Sequence, residues 1–150
     1  MKLAIGSDHA GYRLKGQLVR WLRTADGGKH QILDVGTASE ESCDYPDFAR
    51  AVAEAVAKKR AAKGILLCGT GIGMAIAANK VHGIRAAVAW NPEVAGLAAE
   101  HNGANVICIP ARYAGVREAK RILKCFLTTP FGGGRHARRV RKISQMDRCA

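Results

Sequence analysis

No apolar run in this sequence approaches the roughly 20 residues that cross a bilayer. No leader with a basic start and an apolar middle precedes the first strand-like segment, at Lys2. A cytoplasmic location is the expectation. Cysteine pairing is missing too. The five cysteines, at 43, 68, 108, 125 and 149, are odd in number and include no Cys-x-x-Cys, which fits reduced thiols better than a disulfide framework. Neither they nor the five histidines show metal-ligand spacing, so no metal is expected. Acidic residues are few, 12 against 24 Lys and Arg, for a net charge of +12. The imbalance is C-terminal: residues 1–50 carry seven basic and seven acidic side chains, residues 101–150 eleven and two. The basic tail contains Arg135, Arg138, Arg139, Arg141, Lys142 and Arg148. Aromatic residues are not interleaved with it to stack on bases. A small phosphorylated substrate or a solvated helix face therefore explains the tail better than nucleic acid.

What the chain does have is an alternation of strand and helix patterns. Lys2–Gly6, Gln31–Val35, Gly64–Cys68, Ile84–Trp90 and Asn105–Ile109 read as strands. Helical spacing of apolar residues covers Gly11–Thr24, Phe48–Lys59, Ile72–Lys80, Val116–Leu127 and, opened by Pro92 in a first turn, the stretch to His101. A polar loop reaches Pro46, and a basic helix spans roughly residues 135–147. Five alternations predict one domain over 1–150, an α/β three-layer doubly wound sandwich with a five-stranded parallel sheet. The expected strand order is the Rossmann-like 2-1-3-4-5. Ligands bind such folds beyond the carboxyl ends of the strands, where strand order reverses. The loops after strands one and three are the natural pair.

The loop after strand three is Cys68-Gly69-Thr70-Gly71-Ile72-Gly73. Glycines there let backbone N–H groups close around an anion, and the helix start adds partial positive charge. A thiol at the mouth of that nest is placed to act as a base or nucleophile. The dinucleotide fingerprint fails, since Met74 or Ile76 stands where its last glycine belongs. The ATP loop fails as well, because Asn79-Lys80-Val81 does not supply Gly-Lys-Ser/Thr. Taken alone, the segment reads equally well as an ordinary strand–helix turn over a buried cysteine. The loop after strand one holds Ser7-Asp8-His9, by itself a helix N-cap with a surface histidine. Together, the two loops bring a carboxylate, an imidazole, a thiol and an anion hole to one place.

Gly6-Ser7-Asp8-His9-Ala10-Gly11, Asp34-Val35-Gly36-Thr37, Asp44-Tyr45-Pro46, Cys68–Gly73, Ala77-Ala78-Asn79-Lys80, Gly83-Ile84-Arg85-Ala86, His101-Asn102 and Gly134-Arg135-His136 resemble, in order and over nearly the whole chain, ribose-5-phosphate isomerase type B. The wider family includes galactose-6-phosphate isomerase subunits. The resemblance implies interconversion of ribose 5-phosphate and ribulose 5-phosphate through a cis-enediolate, with no cofactor. It implies Cys68 as the base. Some relatives use a glutamate later in this loop, but residues 72–74 offer no carboxylate here. It further implies Gly69, Thr70, Gly71, Ile72 and Gly73 as the anion hole, with Thr70 passing a proton between sugar oxygens. His101 opens the ring with Asp8 assisting, and His9, Arg135 and Arg139 hold the phosphate. Tyr45, Asn102 and Arg112 make secondary contacts. Other substrates of the same class are a six-carbon sugar phosphate such as allose or galactose 6-phosphate, or a free sugar. A non-catalytic sugar-phosphate or nucleic-acid binding protein is the rival of a different class.

His101 carries a geometric consequence. A helix returning from strand four moves it roughly 15 Å from the catalytic edge, so the ring-opening role that the resemblance implies requires His101 to act in the site of another subunit. A homodimer with shared active sites is expected, or a tetramer built from it. Read without the resemblance, His101-Asn102 is a helix C-terminus, and Arg135 with Arg139 is a solvated basic face.

Overall fold

The protein is described here by a computed structural model covering residues 1–147. Five strands run β1 Lys2–Ser7, β2 Gln31–Asp34, β3 Lys63–Cys68, β4 Ala86–Val88 and β5 Val106–Pro110. Six α-helices run α1 Tyr12–Leu22, α2 Tyr45–Ala57, α3 Ile72–Ala78, α4 Pro92–Asn102, α5 Val116–Thr128 and α6 Gly134–Met146. A 3-10 turn, His9–Gly11, precedes α1. Every strand pair is parallel.

Side chains that alternate along the strands feed two separate cores. Leu3, Ile5, Ile65, Leu67, Ile107 and Ile109 pack under α1, α4 and α5, against Leu18, Leu22, Ala98, Ile122 and Phe126. Ala4, Leu66, Cys68, Val106 and Cys108 face α2 and α3, against Val52, Ala53, Met74 and Ala78. Small residues dominate this second layer, so α2 sits close to the sheet. Gly64 is part of that fit, because a Cβ there would lie 2.7 Å from Val52 Cγ1. Helix α6 belongs to neither layer and buries no residue.

The parallel α/β sheet is as expected, but its order is 2-1-3-5-4 rather than 2-1-3-4-5. Burial explains the exchange. All five residues of β5 are buried, which requires a neighbour on each side and helices on both faces. Strand β4 is three residues long, each only half-buried, and takes the edge. It is also shorter than the expected Ile84–Trp90. Side chains, not a further strand, satisfy the backbone around it: Asn79 Oδ1 accepts from Ala86 N–H at 2.7 Å, and Asn79 Nδ2 donates to Ala86 O at 2.9 Å. The other difference is at α2, which begins at Tyr45, so Pro46 lies in its first turn instead of a loop. A proline is tolerated there because its missing N–H has no partner within the helix anyway.

The β1–β3 adjacency survives the exchange, and with it the point where strand order reverses. Its effect is on the third neighbour: the loop after β5, not the loop after β4, lies beside the glycine loop of β3.

Candidate active site

Strand β3 ends at Cys68, which is 95 % buried by the helices around it and takes a hydrogen bond from Gly71 N–H to its Sγ at 3.1 Å. The chain can turn back on the sulfur because Gly71 adopts φ +77°, the left-handed region. Thr70 Oγ1 accepts from Ile72 N–H at 3.3 Å, which fixes the hydroxyl over the start of α3. Two side chains clamp the loop. The guanidinium of Arg112 lies over Gly69, where a Cβ would stand 3.2 Å from Arg112 Cζ, and Arg112 N–H donates to Gly69 O at 3.1 Å. The Tyr45 ring covers Gly73, where a Cβ would approach it to 2.6 Å. Glycine at 69 and 73 therefore admits the two groups that roof the nest.

The loop after β1 is tied to the same place. Asp8 N–H donates to Leu67 O at 3.1 Å, and Asp8 Oδ1 accepts from Gly11 N–H at 3.1 Å. Asp8 thus caps the 3-10 turn, as its isolated reading expects, while sitting beside the end of β3. His9 Nδ1 accepts from Cys43 N–H at 3.4 Å, with Cys43 Sγ 3.9 Å away. A ring nitrogen used as acceptor leaves the proton on Nε2, which is then a donor.

Cys68, Gly69–Gly73, Thr70, Asp8, His9, Tyr45 and Arg112 therefore meet at one edge of the sheet. His101, Asn102, Arg135 and Arg139 do not. Helix α4 starts after β4, with Asn91 Oδ1 accepting from Val94 N–H at 2.8 Å. Its 11 residues then carry the chain about 16 Å toward the opposite edge. There Gly103 closes the helix in a left-handed cap, φ +54°. Arg85 donates from Nε to Asn102 O at 3.2 Å and from Nη2 to Gly103 O at 2.8 Å. The His101 ring stacks on His136 of α6 with centroids 4.2 Å apart and planes within 10°. Arg135 and Arg139, one turn apart on α6, are exposed on either side of His136 in sequence.

Sequence reasoning gave no role to His136, Cys43 or Arg85. The first stood in a quoted motif, Gly134-Arg135-His136, which carries no sign of a stacking partner 35 residues away. The thiols differ sharply in setting. Burial first, and Cys68 nearby second, push the Cys108 thiol far above the usual range, which leaves it protonated and inert. Among the described residues, no cluster of three or more His, Cys, Asp or Glu side chains could hold a metal ion. No described helix is long and apolar enough to cross a membrane. Arg148, in the basic tail, and Cys149 lie outside the described residues.

Comparison with known proteins gives this geometry a family. A family model described as Ribose/Galactose Isomerase matches residues 3–143. Ribose-5-phosphate isomerase B of Escherichia coli strain K12 is 43% identical over 146 residues, 97% of this chain and 96% of that protein. The structure of Clostridium thermocellum ribose-5-phosphate isomerase B superposes with a TM-score of 0.96 at 46% identity, covering 99% of both chains. That of the Mycoplasma genitalium enzyme, solved with bound ribulose-5-phosphate, does so with a TM-score of 0.94 at 39% identity, over 99% of this chain and 97% of that one. The chain belongs to the ribose/galactose isomerase family and is an aldose–ketose isomerase.

Proposed function

We propose that the protein interconverts ribose 5-phosphate and ribulose 5-phosphate by proton transfer, in active sites shared between two copies of the chain. Ring opening comes first. The bond from C1 to the ring oxygen breaks, the ring oxygen takes a proton from His101 of a second copy, and Asp8 accepts the proton of O1. The Cys68 thiolate then removes the C2 proton. The electron pair moves through C1 onto O1, giving the cis-enediolate. Thr70 passes the O2 proton to O1, and Cys68 returns its proton to C1. An enediolate concentrates negative charge on two oxygens, and the amides of Gly69–Gly73 are preorganised donors for it. His9, with Arg135 and Arg139 of the second copy, holds the phosphate, since guanidinium forks match a phosphate dianion. Tyr45, Arg112 and Asn102 make further sugar contacts.

The observation that carries this reading is the division of the motif residues between opposite sheet edges. A base and anion hole on one edge, with a ring-opening imidazole and phosphate-binding arginines on the other, form one site only when two copies meet. Ile72 and Ile76 support such a meeting, because they leave an apolar face of α3 exposed beside the glycine loop. The relatives named ribose-5-phosphate isomerase B support the five-carbon substrate.

The test mixes two inactive variants, Cys68→Ser and His101→Ala. In a mixed dimer one site collects both defects and the other neither, so exchange restores up to about half the activity per mixed dimer. Confirmed exchange without recovery overturns the shared site. A panel of five- and six-carbon aldose phosphates, assayed with a chelator present, checks the substrate. The expectation is preference for ribose 5-phosphate and full activity in the chelator.

A further inference from the structure

His136 takes no part in the scheme above, yet its ring lies flat against that of His101. The contact is held from both sides. His101 sits in the last turn of α4, whose end Arg85 fixes through the Asn102 and Gly103 carbonyls. His136 sits in the first turn of α6, whose approach is fixed by Gly132 N–H donating to Glu100 O at 2.9 Å. A side chain at Gly132 would be tight: its Cβ would stand 3.2 Å from Glu100 Cγ and 3.3 Å from Glu100 O, and 3.7 Å from His136 Cδ2. We propose that His136 is a positioning residue for His101, fixing the plane of the ring that delivers a proton in ring opening. This rests on the reading of His101 as the ring-opening group.

Charge on His101 acts on the stacked His136 ring. The charged groups around it are Glu100 on α4, Arg135 and Arg139 on α6, and Arg85 at the α4 terminus. Residues 129–133, which link α5 to α6, carry no charge. Partial burial, His101, Arg135 and Arg139 all hold the His136 imidazolium below the usual histidine range, and Glu100 opposes them only in part.

The test uses the direction of reaction. Ribose 5-phosphate arrives as a ring. Ribulose 5-phosphate, with O5 esterified, cannot close a furanose and arrives open. His136→Ala is expected to lower kcat from ribose 5-phosphate about ten-fold with KM within about two-fold, while kcat from ribulose 5-phosphate at saturation stays within about three-fold and its KM carries the change that the fixed equilibrium constant requires. His136→Phe keeps a flat ring at the stack and is expected to recover most of the loss. In NMR titration of the full chain, the midpoint of His136 moves up in His101→Phe, because a neighbouring positive charge is gone. A raised KM with unchanged kcat makes His136 a phosphate ligand like its arginine neighbours and overturns the proposal. So does wild-type turnover in His136→Ala while His101→Ala fails in the aldose direction. If His101→Ala itself turns over ribose 5-phosphate at the wild-type rate, the ring-opening reading falls and the role of the pair falls with it.

Discussion

The sheet edge that carries Cys68 and the edge that carries His101 are made of different material. The first is largely backbone. Its donors are amides of a glycine loop, its base is buried, and its loops are stitched together through Asp8 and Leu67. The second is side chain. A ring pair and two arginines stand on the end of one helix and the start of another, and α6 buries nothing. A backbone nest costs no reorganisation as charge develops on the sugar oxygens, so it suits the enediolate step. Long exposed side chains suit capture of a phosphate, where reach and charge matter more than rigidity.

Substitutions that break this contrast should differ in kind as well as size. Cys68→Ser is expected to keep substrate binding and lower kcat by about 10²–10⁴, since the hydroxyl is too weak an acid to serve as the base. Cys108→Ala, one strand away, should keep turnover and lose only stability. Steady-state kinetics on both separates the working thiol from the inert one. Gly11→Ala attacks the stitching: its Cβ would meet Leu67 Cβ at 2.7 Å and Leu67 O at 2.8 Å. Overpacking against backbone costs about 1–3 kcal/mol, readable by urea melts. Gly115→Ala, where nothing lies within 4 Å, serves as the silent control. On the other edge, Arg135→Ala and Arg139→Ala should each raise KM about ten-fold by deleting a charge-assisted contact. They should leave the melting temperature unchanged, which a thermal scan checks.

The smallest effect concerns acid. Glu54 on α2 accepts from Arg50 Nε at 2.8 Å and Lys58 Nζ at 2.9 Å. The lysine bond first, and the arginine bond second, hold its carboxyl down to about 2 from 4.5. A depressed carboxylate stabilises the fold above its unfolded value, and that contribution fades as pH falls from about 4.5 toward 2. The group is only half-buried and its two partners are exposed, so the slope is shallow. Glu54→Gln should flatten it in melts taken across that window, with no effect at neutral pH.

Much of this was legible in the sequence, and the failures have physical causes. Five strand–helix alternations gave the parallel sheet, since periodicity reports which face of each element is apolar. It does not report neighbours, so the interchange of β4 and β5 was missed. The sequence held a clue in Val-Ile-Cys-Ile-Pro, a run with no polar face, against the short Ala-Ala-Val. The rule that places Pro92 in a first turn holds equally for Pro46, which lies in the first turn of α2 after a polar stretch that masks the helix start. The clustering of the glycine nest with Asp8 and His9 followed from motifs at strand ends, where position along the chain nearly dictates position in space, whereas Tyr45 and Arg112 came only from the family resemblance. The pairing of His101 with His136, and of His9 with Cys43, joins residues far apart in sequence through packing. No local pattern encodes that.

One consequence of the strand order concerns solubility. Strand β4 offers an unpaired outer rim, the kind of template on which other chains add and aggregate. Asn79 occupies part of that rim by bonding both backbone groups of Ala86. The far end of α6 stands beside the rest: Ile143, Met146 and Asp147 line a cavity of about 370 Å³ together with Ala86 and Ala87, and Asp147 Oδ2 accepts from Gly83 N–H at 3.0 Å. Helix α6 thus shields a strand rim with one end while its other end carries the arginines. A chain cut before Gly134 keeps both cores intact yet bares the rim, and it should precipitate on concentration where the full chain stays clear.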